Sequence, residues 1–264
     1  MKKYAVAYGI ALQQVLQRRA TLLMDRVGGV ALIVSLYFFW RTLLQGKSQF
    51  LGYTGAQMLS YVLAMNVLRS FVFTGRGWEL VQEISSGRIS SYLVRPVSYQ
   101  GYTLALDLAQ KSVHLAASFL EIGLLILLIH APVYVPKRLS SWVLFPVSVA
   151  LSSVIFFLME FMVSSLAFWT SESGGPLFCF ELFLQFAAGT FFPLDVLPAA
   201  LQTALRFTPF PYMVFFPINI YLERPIGVSP LQVLGIEAAW LALLLGLSRA
   251  LWARALDSYA AEGG

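Results

Sequence analysis

The sequence predicts an all-α polytopic membrane protein with six transmembrane helices, an N-terminal amphipathic interfacial helix, and external re-entrant helices between spans five and six. Three observations lead there. Only 12 % of the residues are charged, against ~25 % in ordinary soluble domains. The mean hydropathy is +0.73, which leaves too little polar surface to cover a water-soluble globule. The apolar residues also fall in runs long enough to cross a bilayer, which takes ~20 residues as a helix. Residues 1–264 read as a single transmembrane domain.

Residues 4–24 place Val6, Ile10, Leu12, Val15, Leu16 and Leu22 roughly on one helical face, with Lys3, Gln13, Gln17 and Arg18 largely elsewhere. That segment, within 1–26, is too polar in its middle to span and predicts a helix lying along the membrane surface. The spans follow at Val27–Leu44, Tyr53–Phe73, Ser112–Ile129, Trp142–Trp169, Pro176–Phe192 and Pro230–Leu251. A polar stretch, 74–101, separates the second from the third. The segment 193–225 is apolar but carries Pro193, Pro198, Pro209, Pro211, Pro217 and Pro225. Proline removes a backbone donor and clashes inside a helix, so short broken helices dipping into the external face are expected. An even number of spans puts both termini on one side. The loops then sharing that side hold the larger part of the Lys and Arg, which orients both termini to the cytoplasm.

The net charge of +5 does not point to nucleic acid, because the basic residues sit between apolar runs and form no stripe with interleaved aromatics. Membrane lipid is the expected neighbour. Cys179, the only cysteine, allows no intrachain disulfide or cysteine metal site and reads as a packing residue. Gln13, Gln14, Gln17, Arg18 and Arg19 stand where a cleavable leader would need an apolar core, so none is expected. Gly46-Lys47-Ser48 looks like the tail of a phosphate loop, but Arg41 stands where that loop needs glycine. No HExxH, paired-cysteine or GxSxG pattern occurs, and the two histidines, His114 and His130, fall within or at the end of a span. No catalytic residue, metal or cofactor is expected in this chain.

Two groups of polar residues call for an explanation. Residues 76–99 mix Glu79, Glu83, Arg88 and Arg95 with Trp78, Leu80, Val81, Ile84, Ile89, Leu93 and Val94. A solvated loop is one reading. A short amphipathic helix that docks on a partner is the better one, because a plain linker has no use for Trp78 and the aliphatic set. The second group is intramembrane: Glu121, Glu160, Glu181 and Glu237 fall within apolar spans. An acidic residue at mid-bilayer costs up to ~3 kcal/mol on insertion scales, so each should be turned inward, paired or protonated. Asp107, Lys111, His114, Ser118 and Glu121 share one face of the third span, at spacings of 4, 3, 4 and 3. That face reads either as one wall of a translocation path, together with Glu160 and Glu181, or as a network that fixes helix packing. Asp107 and Lys111 also fit an interfacial pair. An acidic excess along such a path would favour cationic or amphipathic cargo.

The runs GRISSYLVRPVSY, SESGGPLFCFELFLQFAAGTFFPLDVLP and TPFPYMVFFPINIYLERP resemble the ABC-2 class of transporter permeases. The small six-span subfamily, usually encoded beside a separate ATPase, is the most similar. The stretch Gly189–Pro193, with Asp195 and Pro198 following, carries the resemblance most strongly. Ser173-Gly174-Gly175 also resembles part of the signature of ATP-binding cassette ATPases, but it stands between two spans and reads as a turn. The resemblance implies a dimer of permeases, identical or paired with a second permease, with two ATPase subunits on the cytoplasmic face that bind the ATP and Mg. It implies a connecting helix at the N-terminus, a coupling helix at about Trp78–Val94 with Trp78, Glu79, Glu83, Arg88 and Leu93 facing the ATPase, and re-entrant helices at Leu194–Tyr221. Such permeases mostly export, from the cell membrane, and the cargo does not carry over.

An ion-gradient transporter using Glu121 or Glu160 as carrier is the competing reading, and a non-transporting membrane scaffold a third. The chain shows no internal repeat of the inverted kind.

Overall fold

The computed structural model describes residues 2–46, 49–50, 52–129, 133–170 and 174–262. Lys47, Ser48, His130 and Ser173 lie outside the described residues. Helix α1, Lys2–Gln17, stops at Arg18, whose backbone (φ −82°, ψ 51°) leaves the helical region, and α2, Arg19–Leu43, starts at once. The predicted continuous helix over 4–24 is therefore two helices.

The two sides of α1 divide differently from the sequence expectation. Val6, Ile10 and Leu16 are at least half exposed, at 61, 51 and 50 %. The buried side is made of Ala7 and Ala11, set against Ala105, Leu106 and Ala109 of α6, Tyr99–Ile129, with Tyr4, Tyr8 and Tyr102 around them. Small residues let two helices approach closely. Tyr8 donates to Ser112 Oγ at 3.0 Å, and Lys3 Nζ donates to the Pro96 carbonyl at 2.6 Å.

A two-stranded hairpin, β1 Gln49–Phe50 and β2 Tyr53–Thr54, leads into α3, Gly55–Val72. Thr54 and Gln57 cap α3 reciprocally, satisfying two of its free N–H groups. Helix α4, Gly77–Ser85, follows, then a left-handed turn at Gly87 (φ 71°) and the single turn α5, Ser90–Leu93.

Helix α6 begins at Tyr99, well before the predicted Ser112. Its 31 residues extend ~46 Å at ~1.5 Å per residue, against a hydrocarbon thickness of ~30 Å. On the sequence, Asp107 and Lys111 belong to the polar face of this helix and also fit an interfacial pair. Both are inside the bundle, paired at 2.8 Å and essentially unexposed.

Helix α7, Leu139–Ser164, ends in a 3₁₀ turn, Ser165–Phe168, and is the central post of the fold. It packs on α3, on α4, on α8 (Gly174–Ala187), on α10 (Phe215–Tyr221) and on α11 (Pro230–Glu262). Ser148 Oγ donates to Glu237 Oε1 of α11 at 2.6 Å, which satisfies one oxygen of that buried carboxyl. At the opposite end Trp252 stacks on Tyr99, with ring centroids 5.2 Å apart.

Five helical stretches among the described residues are long and apolar enough to cross a membrane: Leu22–Leu43, Gly55–Ser85 (α3 with α4 after it), Tyr99–Leu128, Leu139–Phe168 and Pro230–Tyr259. The predicted fifth span, Pro176–Phe192, is the shorter α8. Its 14 residues extend ~21 Å. Gly189, at φ 83°, ends the helical run in a conformation that glycine adopts at little cost.

Residues 193–225 form no continuous helix. Leu194–Val196 is a 3₁₀ turn, α9 is Ala199–Arg206, Phe210–Met213 is a second 3₁₀ turn, and α10 completes the segment. Pro193 and Pro198 stand immediately before the first turn and α9, where a missing N–H breaks no helical bond.

A polar cavity between α2, α3, α4, α6 and α8

A cavity of about 890 Å³ opens among these helices. Its wall includes His114 and Glu121 of α6, Glu160 of α7, Glu181 of α8, and Trp78 and Glu79 of α4. The structure thus brings together four of the five residues assigned to a path from sequence. Lys111 is not among them. Its ammonium is occupied by Asp107 and by the Ser153 carbonyl at 3.2 Å, and lies 5.4 Å from the centre of the Phe156 ring.

The residue that organises the α6 face is Arg26, one of the basic residues that the sequence places on the cytoplasmic side. From α2 its guanidinium reaches Glu121 at 3.7 Å, donates to Ser118 Oγ at 3.1 Å and hydrogen-bonds His114 Nδ1. Ser118 is also bonded to Ser70 of α3. One arginine therefore joins α2 to α6, and one serine joins α6 to α3. Arg18, Arg69 and Arg76 line the same cavity. The expected acidic excess is not what the cavity holds, because four arginines face four glutamates. The preference for cationic cargo loses its electrostatic basis.

Helix α4 is amphipathic, with Leu80, Val81 and Ile84 buried. Its acidic residues are held within the chain. Arg76 Nε donates to Glu79 Oε2 at 2.6 Å, Arg76 lies 3.8 Å from Glu83, and the Tyr99 hydroxyl donates to Glu83. Trp78 is 43 % exposed, not buried as its type suggested, and it turns toward α8. Its Nε1 donates to Glu181 Oε1 at 2.9 Å, and the ring covers Gly174. Leu93 packs half-buried on the core, whereas Arg88 is exposed and donates to Ser86 Oγ at 3.1 Å. The exposed polar residues of this segment are Gln82, Ser85, Ser86, Arg88, Ser90 and Ser91, and Val94 is exposed beside them.

The Gly189 to Pro198 motif is built around backbone closure and an ion pair. Tyr61 donates to the Gly189 carbonyl at 2.8 Å, and a Cβ at Gly189 would stand 3.1 Å from Leu194 Cγ and from the Tyr61 hydroxyl. Asp195 Oδ2 accepts from Tyr53 and from Arg224, both at 2.9 Å. Gln202 Nε2 donates to the Leu197 carbonyl at 2.8 Å, closing the turn that Pro198 starts.

The family model for ABC-2 family transporter proteins matches residues 30–263. The chain belongs to this family. No curated protein matches it. As an ABC-2 family member with five long apolar helices, it is a multi-pass membrane protein and the membrane component of an ABC transporter. ABC-2 membrane components work with ATP-binding cassette partners.

Proposed function

We propose that this chain is the permease subunit of an ATP-driven exporter in the cell membrane. ATP and Mg are bound by two copies of a separate ATPase on the cytoplasmic side. Two permeases, identical or paired with a close relative, complete the transporter. Helix α4 and the turn after it carry this reading. They form an amphipathic element between two spans, α3 and α6, that buries its aliphatic side on α7 and leaves Gln82, Ser86 and Arg88 outward. Closure of the ATPase dimer would press on that surface and tilt the spans around the cavity.

The ion-gradient alternative needs a carboxylate free to load and release a proton. Glu121 is paired with Arg26, and Glu160 accepts a backbone N–H at 3.1 Å, so both already have partners that join helices. In the proposed topology both termini are cytoplasmic, α8 is a short fifth span, and residues 193–225 re-enter from outside. Cysteines at the exposed positions Ala200 and Pro225, in a Cys179→Ser background, should both react with an impermeant reagent added outside intact cells. Labelling of either only after permeabilisation would refute the topology.

A further inference from the structure

Helix α4 has no cap of its own. The residue before it, Arg76, makes no side-chain capping bond, and a guanidinium cannot accept one. Yet the first N–H groups of a helix need acceptors, and its N-terminus favours negative charge. The acceptor comes from a distant helix. Glu160 of α7, only 4 % exposed, receives the Arg76 N–H on Oε2 at 3.1 Å across 84 positions.

The backbone is shaped to admit it. A Cβ on Gly75 would fall 2.0 Å from Glu160 Oε2 and 2.4 Å from its carboxyl carbon. A Cβ on Gly77 would fall 2.8 Å from Glu160 Cγ and 2.9 Å from Ser164 Oγ. Any side chain at either position would push the carboxyl out of its seat. Two glycines two positions apart, on either side of a capped N–H, are therefore a socket, with Glu160 as its plug.

We propose that Glu160 is the positioning residue that locks α4 to α7, so that displacement of α4 becomes displacement of the central span. Helix α7 carries the motion onward. One end holds α4 through Glu160. Further along, Ser152 Oγ donates to the Tyr212 carbonyl at 2.9 Å, and Ser141 Oγ donates to Glu223 at 3.1 Å, both in the 193–225 segment. Glu160 thus lines the cavity edge without being required to touch cargo.

The lock is testable on the chain alone, and its use in coupling rests on the reading of α4 as the ATPase contact. Hydrogen exchange is measured on the chain in lipid nanodiscs. In Glu160→Ala, the amides of α4 should exchange at least about tenfold faster than in the parent, with α7 and α11 unchanged. Glu160→Gln keeps an acceptor oxygen and should stay within about threefold. Gly75→Ala leaves the carboxyl intact but removes its seat, and should behave like Glu160→Ala even if the latter fails to fold. Exchange of α4 within threefold of the parent in both Glu160→Ala and Gly75→Ala overturns the proposal, as does equal loosening of α4 and α11. A second arm measures ATP hydrolysis by the complex. Loss of the permease-dependent change in hydrolysis in Glu160→Ala, with rescue by Gln, is expected. If α4 loosens but hydrolysis is untouched, the lock stands and the reading of α4 as the ATPase contact falls.

Discussion

Arg224 reaches back 29 positions to bind Asp195 at 2.9 Å, and in doing so lays its guanidinium 3.3 Å from the centre of the Tyr53 ring. The Tyr53 hydroxyl donates to the same carboxylate oxygen. One acidic residue therefore closes the 193–225 segment onto itself and onto the hairpin before α3. Asp195→Ala removes the closer acceptor of two donors, leaving Asn219 Oδ1, 3.0 Å from Arg224 and 3.5 Å from Tyr53, at a cost of ~1–2 kcal/mol. The melting temperature of the purified chain should drop by several degrees, and Asp195→Asn, which keeps an acceptor, should drop it less. Equal melting of all three proteins would contradict the clamp.

A second fastening of the same segment depends on pH. Glu223, in the left-handed region at φ 54°, accepts from the Arg138 N–H at 2.6 Å, the Tyr134 hydroxyl at 2.9 Å and the Ser141 hydroxyl at 3.1 Å. Partial burial works to raise its pKa, but these donors outweigh burial and hold the carboxyl below the usual glutamate value. A depressed pKa means that the stabilisation is fully present above the ordinary glutamate range and is lost as pH falls through the lower, folded-state value. Melting temperatures taken from neutral to acid pH should fall below that range in the parent. In Glu223→Gln they should start lower at neutral pH and show less of that fall. Parallel profiles would contradict the assignment.

Arg26 carries the junction of α2 with α6. Arg26→Ala would leave Glu121 in the cavity wall without its cation; breaking a fully buried pair costs ~3–5 kcal/mol when one partner remains, and this partly exposed pair should cost less. The expected result is poor recovery of folded protein, improved by adding Glu121→Gln. A double variant no better than Arg26→Ala would show that Glu121 does not depend on Arg26.

The sequence makes the helical runs and the proline-broken segment legible, because both are local: hydropathy over ~20 residues and the missing donor of proline. It misses what is decided across the chain. Arg26 sits near a helix end and reads as an anchor, and nothing near it in sequence announces that His114 and Glu121, 88 and 95 positions later, will face it. Asp107 and Lys111 read on sequence as part of a polar helix face or as an interfacial pair. Here the two charges neutralise each other inside the bundle, and the helix starts earlier. The acidic residues of α4 read as an outward face, yet Arg76 and Tyr99 claim them. Gly75 and Gly77 carried a signal, two glycines around one residue just before an amphipathic helix, but its meaning requires Glu160.

The contact of α1 with α6 rests on small side chains, so bulk should break it. Ala7→Leu or Ala109→Leu places extra methyl groups into a closed seam, and overpacking costs ~1–3 kcal/mol. Protease cleavage near Arg18, where the helix already breaks, should accelerate several-fold in either variant. An exposed control, Val6→Ala, should leave the rate unchanged. No acceleration in both seam variants would mean that α1 is not held by this face.

The most direct test of the account is a crosslink from the outward side of α4. A photoreactive residue at Gln82 or Ser86, both exposed, is introduced into the chain in its native membrane, and the captured protein is identified. The account predicts capture of an ATP-binding cassette ATPase from both positions, strengthened or shifted when ATP turnover is arrested with vanadate. Capture of no ATPase from either position, in membranes where the transporter is active, would contradict it.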